Sequence, residues 1–197
     1  MARVLVVCTG NVCRSPVAEA FLRAAFEDRM GSASPQVASA GTMGWTDSGA
    51  DPHSIQAAAE HGIDISGHRA RVLDRAEIAR STLILAMANE HVEAIASAAP
   101  SARSKTFTLK ELVRLLEALP GTEVGAADPI VARVEAADEL RRSGFPGDPH
   151  DEGIADPLGL PLEAFRLVAD EIEVWCGRLA DVLVGSPDAR DAGSAVS

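Results

Sequence analysis

The segment Cys8-Thr9-Gly10-Asn11-Val12-Cys13-Arg14-Ser15 sets a thiol, five intervening residues and a guanidinium in that order, with Pro16 next. A loop of this length, wound so that its N–H groups face inward, makes a cradle for an anion. The helix that follows adds its positive end, and Arg14 can grip two oxygens of a tetrahedral oxyanion such as phosphate. The same positive field favours the thiolate form of Cys8. An anion held over a thiolate is set for in-line displacement at phosphorus, in which a phosphocysteine forms and an alcohol leaves. A lone Cys at a strand end is ordinarily a small buried hydrophobe. Here strand, turn, Arg and helix stand in sequence, which weighs for the catalytic role.

Those residues need elements to hold them. Arg3 to Cys8 is a short β-branched run ended by Thr9-Gly10-Asn11, a buried strand running into a turn. From Pro16 the apolar period turns helical through Val17, Phe21, Leu22, Ala25 and Met30, with Ser15 placed as N-cap and Pro16 at the first helical position. Further strands are expected at Gln36 to Ala40, Thr82 to Met87 and Arg103 to Thr108. Helices are expected at Ser54 to His61, Leu109 to Leu119, around Ile130 to Leu140, and from Leu162 to Val184. This alternation predicts an α/β fold: one Rossmann-like three-layer sandwich with a central four-stranded parallel sheet, helices on both faces and a ligand at the strand C-termini. Residues 1–184 read as one domain. Within it the turn-rich region 120–153 reads as an inserted flap, and 185–197 reads as a mobile tail.

With these elements in place, the sequence resembles the low-molecular-weight protein tyrosine phosphatase family, whose signature is Cys-x5-Arg-Ser near the N-terminus and an Asp-Pro pair near the C-terminus. The pair here is Asp156-Pro157 in Ile154-Ala155-Asp156-Pro157-Leu158-Gly159, just before the last helix. The likeness also runs through Ser39-Ala40-Gly41-Thr42, Trp45, Asp51-Pro52 and Gly62 to Arg71. The resemblance implies a Cys8 nucleophile, an Arg14 clamp and Asp156 as general acid, then as base for the water that breaks the phosphocysteine. Protonating a departing phenolate is worth about 10² to 10⁴ in rate. Pro157 would stiffen the acid's loop. Thr9, Gly10, Asn11, Val12 and Cys13 would line the phosphate loop, and Asn11, Ser15, Ser39 and His68 match the family's hydrogen-bond network that holds it. Asn11 suits a left-handed turn, and Ser15 is placed to donate to the Cys8 sulfur. Cys13 is either a reversible disulfide partner for Cys8 or a filler of the loop interior.

Two positions bear on substrate. Trp45 matches one aromatic wall of the family's pocket, whereas Leu158 stands where the family usually has an aromatic, often Tyr, and the chain has no Tyr. Phosphoarginine phosphatases of this family carry Thr where this chain has Val12, the apolar choice of the tyrosine branch. The expected activity is therefore hydrolysis of phosphotyrosine in proteins. Phosphoarginine ranks second, and arsenate reduction third, since no close thiol pair follows Cys13. A non-catalytic phosphoprotein-binding module is the remaining reading.

Composition narrows the partners. The chain has 197 residues and a formal charge of −11, a balance that disfavours nucleic acid and anionic membrane surfaces. The N-terminus has no apolar stretch of secretion-signal length, and the run Leu83 to Ala88 is far short of the ~20 residues that cross a bilayer. A cytoplasmic location is expected. His53, His61, His91 and His150 show no metal-ligand spacing. Neither metal nor cofactor is expected, and the partners are a phosphorylated protein and the phosphate itself. Oligomeric state is not legible.

Overall fold

A computed structural model of the chain describes residues 1–43, 45–120, 128–145 and 152–186. Four strands, β1 (Arg3–Cys8), β2 (Gln36–Gly41), β3 (Leu83–Ala86) and β4 (Thr106–Thr108), form one parallel sheet in the order β2-β1-β3-β4. The chain leaves β1 toward one neighbour and returns to its other side to make β3. The C-terminal end of β1 is thus a topological switch point, the crevice where parallel α/β sheets bind ligands. Cys8 is the last residue of that strand.

Period-two alternation along β1 divides the core. Val4, Val6 and Cys8 face a large cluster built with α1 (Arg14–Met30), α2 (Pro52–Glu60), α5 (Leu109–Glu117), α6 (Pro129–Arg142) and α7 (Leu162–Val184). Leu5 and Val7 face a smaller cluster with Ile78 of α3 (Arg75–Arg80) and Ile95 of α4 (Asn89–Ala98). Helices therefore cover both faces of the sheet, as the alternation predicts. Burying each large side chain of this kind contributes roughly 1.5–3 kcal/mol.

Several local expectations change. Helix α1 begins at Arg14, and Cys13 occupies the capping position without a side-chain cap. Ser15 is thus inside the helix, its hydroxyl drawn to the Cys8 sulfur instead of to an N-terminal amide. The expected strand from Arg103 is shorter, because Pro100–Lys105 winds as a 3₁₀ turn and only Thr106–Thr108 pairs with β3. Helices α3 and α4 were not among the expected elements. The first is only six residues long, and the second dilutes its stripe of Val92 and Ile95 with alanines.

Part of the segment expected as a flap enters the body of the protein. In α6, Ile130, Val134 and Ala137 are buried in the larger cluster. Arg133, itself nearly buried, donates to the carbonyls of Leu116 at 2.9 Å, Pro120 at 2.7 Å and Val182 at 3.1 Å, tying α6 to the ends of α5 and α7. The Arg141 guanidinium lies over the Phe107 ring at 4.1 Å and donates to the carbonyls of Thr106 and Arg103. The rest of that segment, 121–127 and 146–151, and the expected tail from 187 onward lie outside the described residues.

Candidate active site

The phosphate-loop candidate, Thr9 to Cys13, bridges the end of β1 and the start of α1. Its tightest point is Gly41, the last residue of β2. A Cβ there would stand 2.7 Å from the Thr9 carbonyl oxygen and 3.1 Å from the Asn11 nitrogen, so only glycine lets the two segments touch. The loop is also sewn down by backbone bonds. Thr42 N donates to Cys8 O and Met43 N to Thr9 O, both at 2.9 Å, and Asp51 N donates to Val12 O at 2.8 Å.

Asn11 has φ of 56°, the left-handed turn that its side-chain type suits. Its amide organises the site. The carbonyl oxygen accepts from Arg71 N at 3.0 Å, which fixes Nδ2 as the donor to Ser15 Oγ at 2.9 Å and to Ser39 Oγ at 2.8 Å. Since Ser15 Oγ already accepts from Asn11, its own proton is directed to Cys8 Sγ, 2.9 Å away. Ser39 likewise passes its proton to Glu19 at 2.6 Å. The sulfur accepts a second bond from Asn11 N at 3.3 Å, and the His68 ring lies 2.8 Å from the main-chain carbonyl oxygen of Asn11. All four residues expected as the supporting network, Asn11, Ser15, Ser39 and His68, thus converge on Cys8 and its loop.

Arg14 is buried and points its fork toward the loop that carries Asp156. Its Nη1 donates to Ile154 O at 3.1 Å, and its Nη2 meets Asp156 Oδ2 at 2.5 Å and Thr9 Oγ1 at 3.4 Å. Its Nε is buried without a protein partner, an uncommon state for a guanidinium nitrogen and one that an oxyanion oxygen would relieve. Asp156 is far from Cys8 in sequence. Ile154, buried, anchors its loop by donating its N–H to Met87 O at 2.7 Å, just past β3. Pro157 is buried beneath that loop, and Leu158 N donates to Asp156 Oδ1 at 3.2 Å.

The rim residues are more exposed. Trp45 lies on Gly10, where an added Cβ would meet its ring at 3.4 Å, and it remains 43% exposed. Leu158 is 45% exposed, and Met43 is exposed as well. Val12 and Cys13 are buried in the loop interior. Burial, with help from nearby Asp51, pushes the Cys13 thiol up to about 12, so it is a neutral thiol near pH 7. Burial also holds the Cys176 thiol well above its ordinary range.

Sequence reasoning missed Gly41, Arg71, Glu19, Ile154 and His91 as site residues. The stretches quoted for the resemblance already contain Gly41, Arg71 and Ile154. Glu19 lies four residues past Ser15 on one helical face. His91 has no such sequence signal, because the fold alone brings it to Thr9. Among the described residues, no three His, Cys, Asp or Glu side chains stand together as a metal-binding group.

Residues 3–139 match the model of a family described as low molecular weight phosphotyrosine protein phosphatase. A protein-arginine-phosphatase of Geobacillus stearothermophilus is 34% identical over 92% of this chain and 95% of its own. The Etp low molecular weight protein-tyrosine-phosphatase of Escherichia coli K12 is 43% identical over 53% of this chain and 66% of its own. Among solved structures, the YwlE arginine phosphatase of G. stearothermophilus superposes with a TM-score of 0.67 at 31% identity, covering 100% of this chain and 98% of its own. A low molecular weight protein tyrosine phosphatase from T. tengcongensis gives 0.68 at 30% identity, over 92% of this chain and 99% of its own.

Proposed function

The chain belongs to the low molecular weight phosphotyrosine protein phosphatase family, and we propose that it is a cysteine-dependent phosphatase acting on phosphotyrosine in proteins. Residues 1–184 form the phosphatase domain in this reading, with 120–153 as an addition to it. The observation that carries the mechanism is the convergence of three groups. The Cys8 sulfur is held by an amide and a hydroxyl, Arg14 has a buried Nε free for an oxyanion, and Asp156 rests on the same guanidinium.

The incoming phosphoryl group displaces the Asp156 carboxylate from Arg14, and beside the ester oxygen the freed carboxylate takes up a proton from the monoanionic phosphate ester or from water. Cys8 Sγ attacks phosphorus, the P–O ester bond breaks, and the departing oxygen takes its proton from Asp156. In the second half, water gives a proton to Asp156 as its oxygen attacks phosphorus, the P–S bond breaks, and phosphate leaves. Ser15 and Asn11 stabilise the sulfur as it departs. Thr9, Gly10, Val12 and Cys13 shape the cradle, Ser39 and His68 hold it, and Pro157 limits the acid's motion.

Substrate choice rests on the rim. Trp45 and Leu158 present exposed apolar surface suited to an aryl ring, with Val12 buried in the loop, although Leu158 supplies no aromatic wall. A second reading, phosphoarginine, is favoured by the arginine phosphatase relative that aligns along nearly the whole chain. Hydrolysis of an aryl phosphate in the presence of a chelator, with Cys8→Ser inactive, is the expected result, and normal turnover by that variant would end the proposal. Parallel assays with phosphotyrosine, phosphoserine and phosphoarginine peptides decide between the branches. Preference for phosphoarginine would replace the substrate named here.

A further inference from the structure

His91 lies in α4, on the opposite side of β1 from the Asn11 network, and only 1% of its surface is exposed. Its Nε2 is 2.9 Å from Thr9 Oγ1, and that same oxygen is 3.4 Å from Arg14 Nη2. Its Nδ1 is buried and makes no hydrogen bond of its own. A guanidinium only donates, so Thr9 Oγ1 accepts from Arg14, and two arrangements remain toward His91 Nε2: the Thr9 proton donated to a bare Nε2, or an Nε2–H donated to the same oxygen. The first makes the imidazole the neutral tautomer with its proton on Nδ1. Burial and the nearby Arg14 charge lower the His91 pKa, in keeping with a neutral ring.

We infer that His91 is a positioning residue for phosphate binding: by accepting the Thr9 proton, it turns the Thr9 oxygen toward Arg14 Nη2, the same nitrogen that meets Asp156. The inference rests on the phosphatase reading and adds a member to its site. It explains how Arg14 keeps its orientation once phosphate takes Asp156 away from the guanidinium. Ile154 O and Thr9 Oγ1 then remain as the fixed protein acceptors among its contacts.

The test compares wild type, His91→Leu, His91→Gln and Thr9→Val. Gln places a side-chain oxygen near the reach of Nε2 and can accept the same proton, whereas Leu cannot. Inhibition by inorganic phosphate should weaken about tenfold in His91→Leu and in Thr9→Val, and the double variant should be no worse than either single one. In His91→Gln it should return to within about twofold of wild type. Equal impairment of Gln and Leu variants would reduce His91 to packing, and wild-type inhibition in His91→Leu would remove it from the site. Imidazole ¹⁵N shifts supply a readout that needs no turnover. Thr9→Val should move the Nε2 resonance of His91 and leave the proton on Nδ1. An unmoved Nε2 resonance overturns the inference even in an active enzyme. An inactive wild type with the Nε2 response intact would instead fault the phosphatase reading. Should His91→Leu fail to fold, Thr9→Val carries both measurements.

Discussion

At the scale of single residues, two positions are specified by space and burial. Gly41 admits no side chain against the Thr9 carbonyl, so Gly41→Ala should destabilise the protein by ~1–3 kcal/mol and cut kcat/KM at least tenfold. Unchanged melting and turnover would show that the loop can shift. Cys13 is expected to resist iodoacetamide near neutral pH, since its thiol is pushed up to about 12, and peptide mapping by mass spectrometry should find Cys8 labelled first. For His91 the pKa is lowered in the folded state, so protonation favours unfolding. Its stabilisation is fully present above the unfolded value and is lost as pH falls from there through the lowered folded value. Denaturant titrations from about pH 7 to pH 5 should therefore show a smaller loss for His91→Gln than for wild type. A parallel decline would contradict this. At this scale the sequence was informative where residue type and chemistry coincide. Cys8, Arg14, Asn11 and Ser15 could be read directly, but the orphaned Arg14 Nε and the Thr9–His91 contact depend on burial and direction, which spacing does not encode.

At the scale of elements, periodicity revealed what forms but not always where it packs. The stripe of Ile130, Val134 and Ala137 predicts a helix, yet the surrounding Gly, Pro and Asp suggest an exposed excursion. Its burial depends on Arg133 and Arg141 finding carbonyls on α5, α7 and the β4 approach, partners distant in sequence. Ile130→Ala should accordingly cost ~2–5 kcal/mol in denaturant unfolding while sparing turnover well below the melting temperature. A change within about 0.5 kcal/mol would mean that α6 lies on the surface. Ser15 shows the converse problem. Its type and place before a proline suit a helix cap, but a nearby thiol competes for the hydroxyl and the helix starts two residues earlier.

Across the whole molecule, the strand order explains the site. With β1 central and its neighbours reached in opposite directions, Cys8 ends β1 at the switch point, and Met87, just past β3, supplies the carbonyl that holds the Asp156 loop. Alternating strands and helices made this architecture legible, since a parallel sheet needs crossovers and β1 is apolar on both faces. No helix among the described residues is long and apolar enough to cross a membrane. If, as proposed, the rim recognises the leaving group, Leu158→Tyr should raise kcat/KM for aryl phosphates about two- to tenfold by adding a ring contact. No gain would place the substrate ring elsewhere. In the proposed mechanism, phosphate passes through the sulfur of Cys8. Acid quenching of the Asp156→Ala protein during aryl phosphate turnover, followed by mass spectrometry of its peptides, tests it directly. A phosphoryl group on Cys8 that is missing from the Cys8→Ser protein is the expected result; phosphate released by a Cys8→Ser protein at the wild-type rate, with no covalent species, would contradict the mechanism.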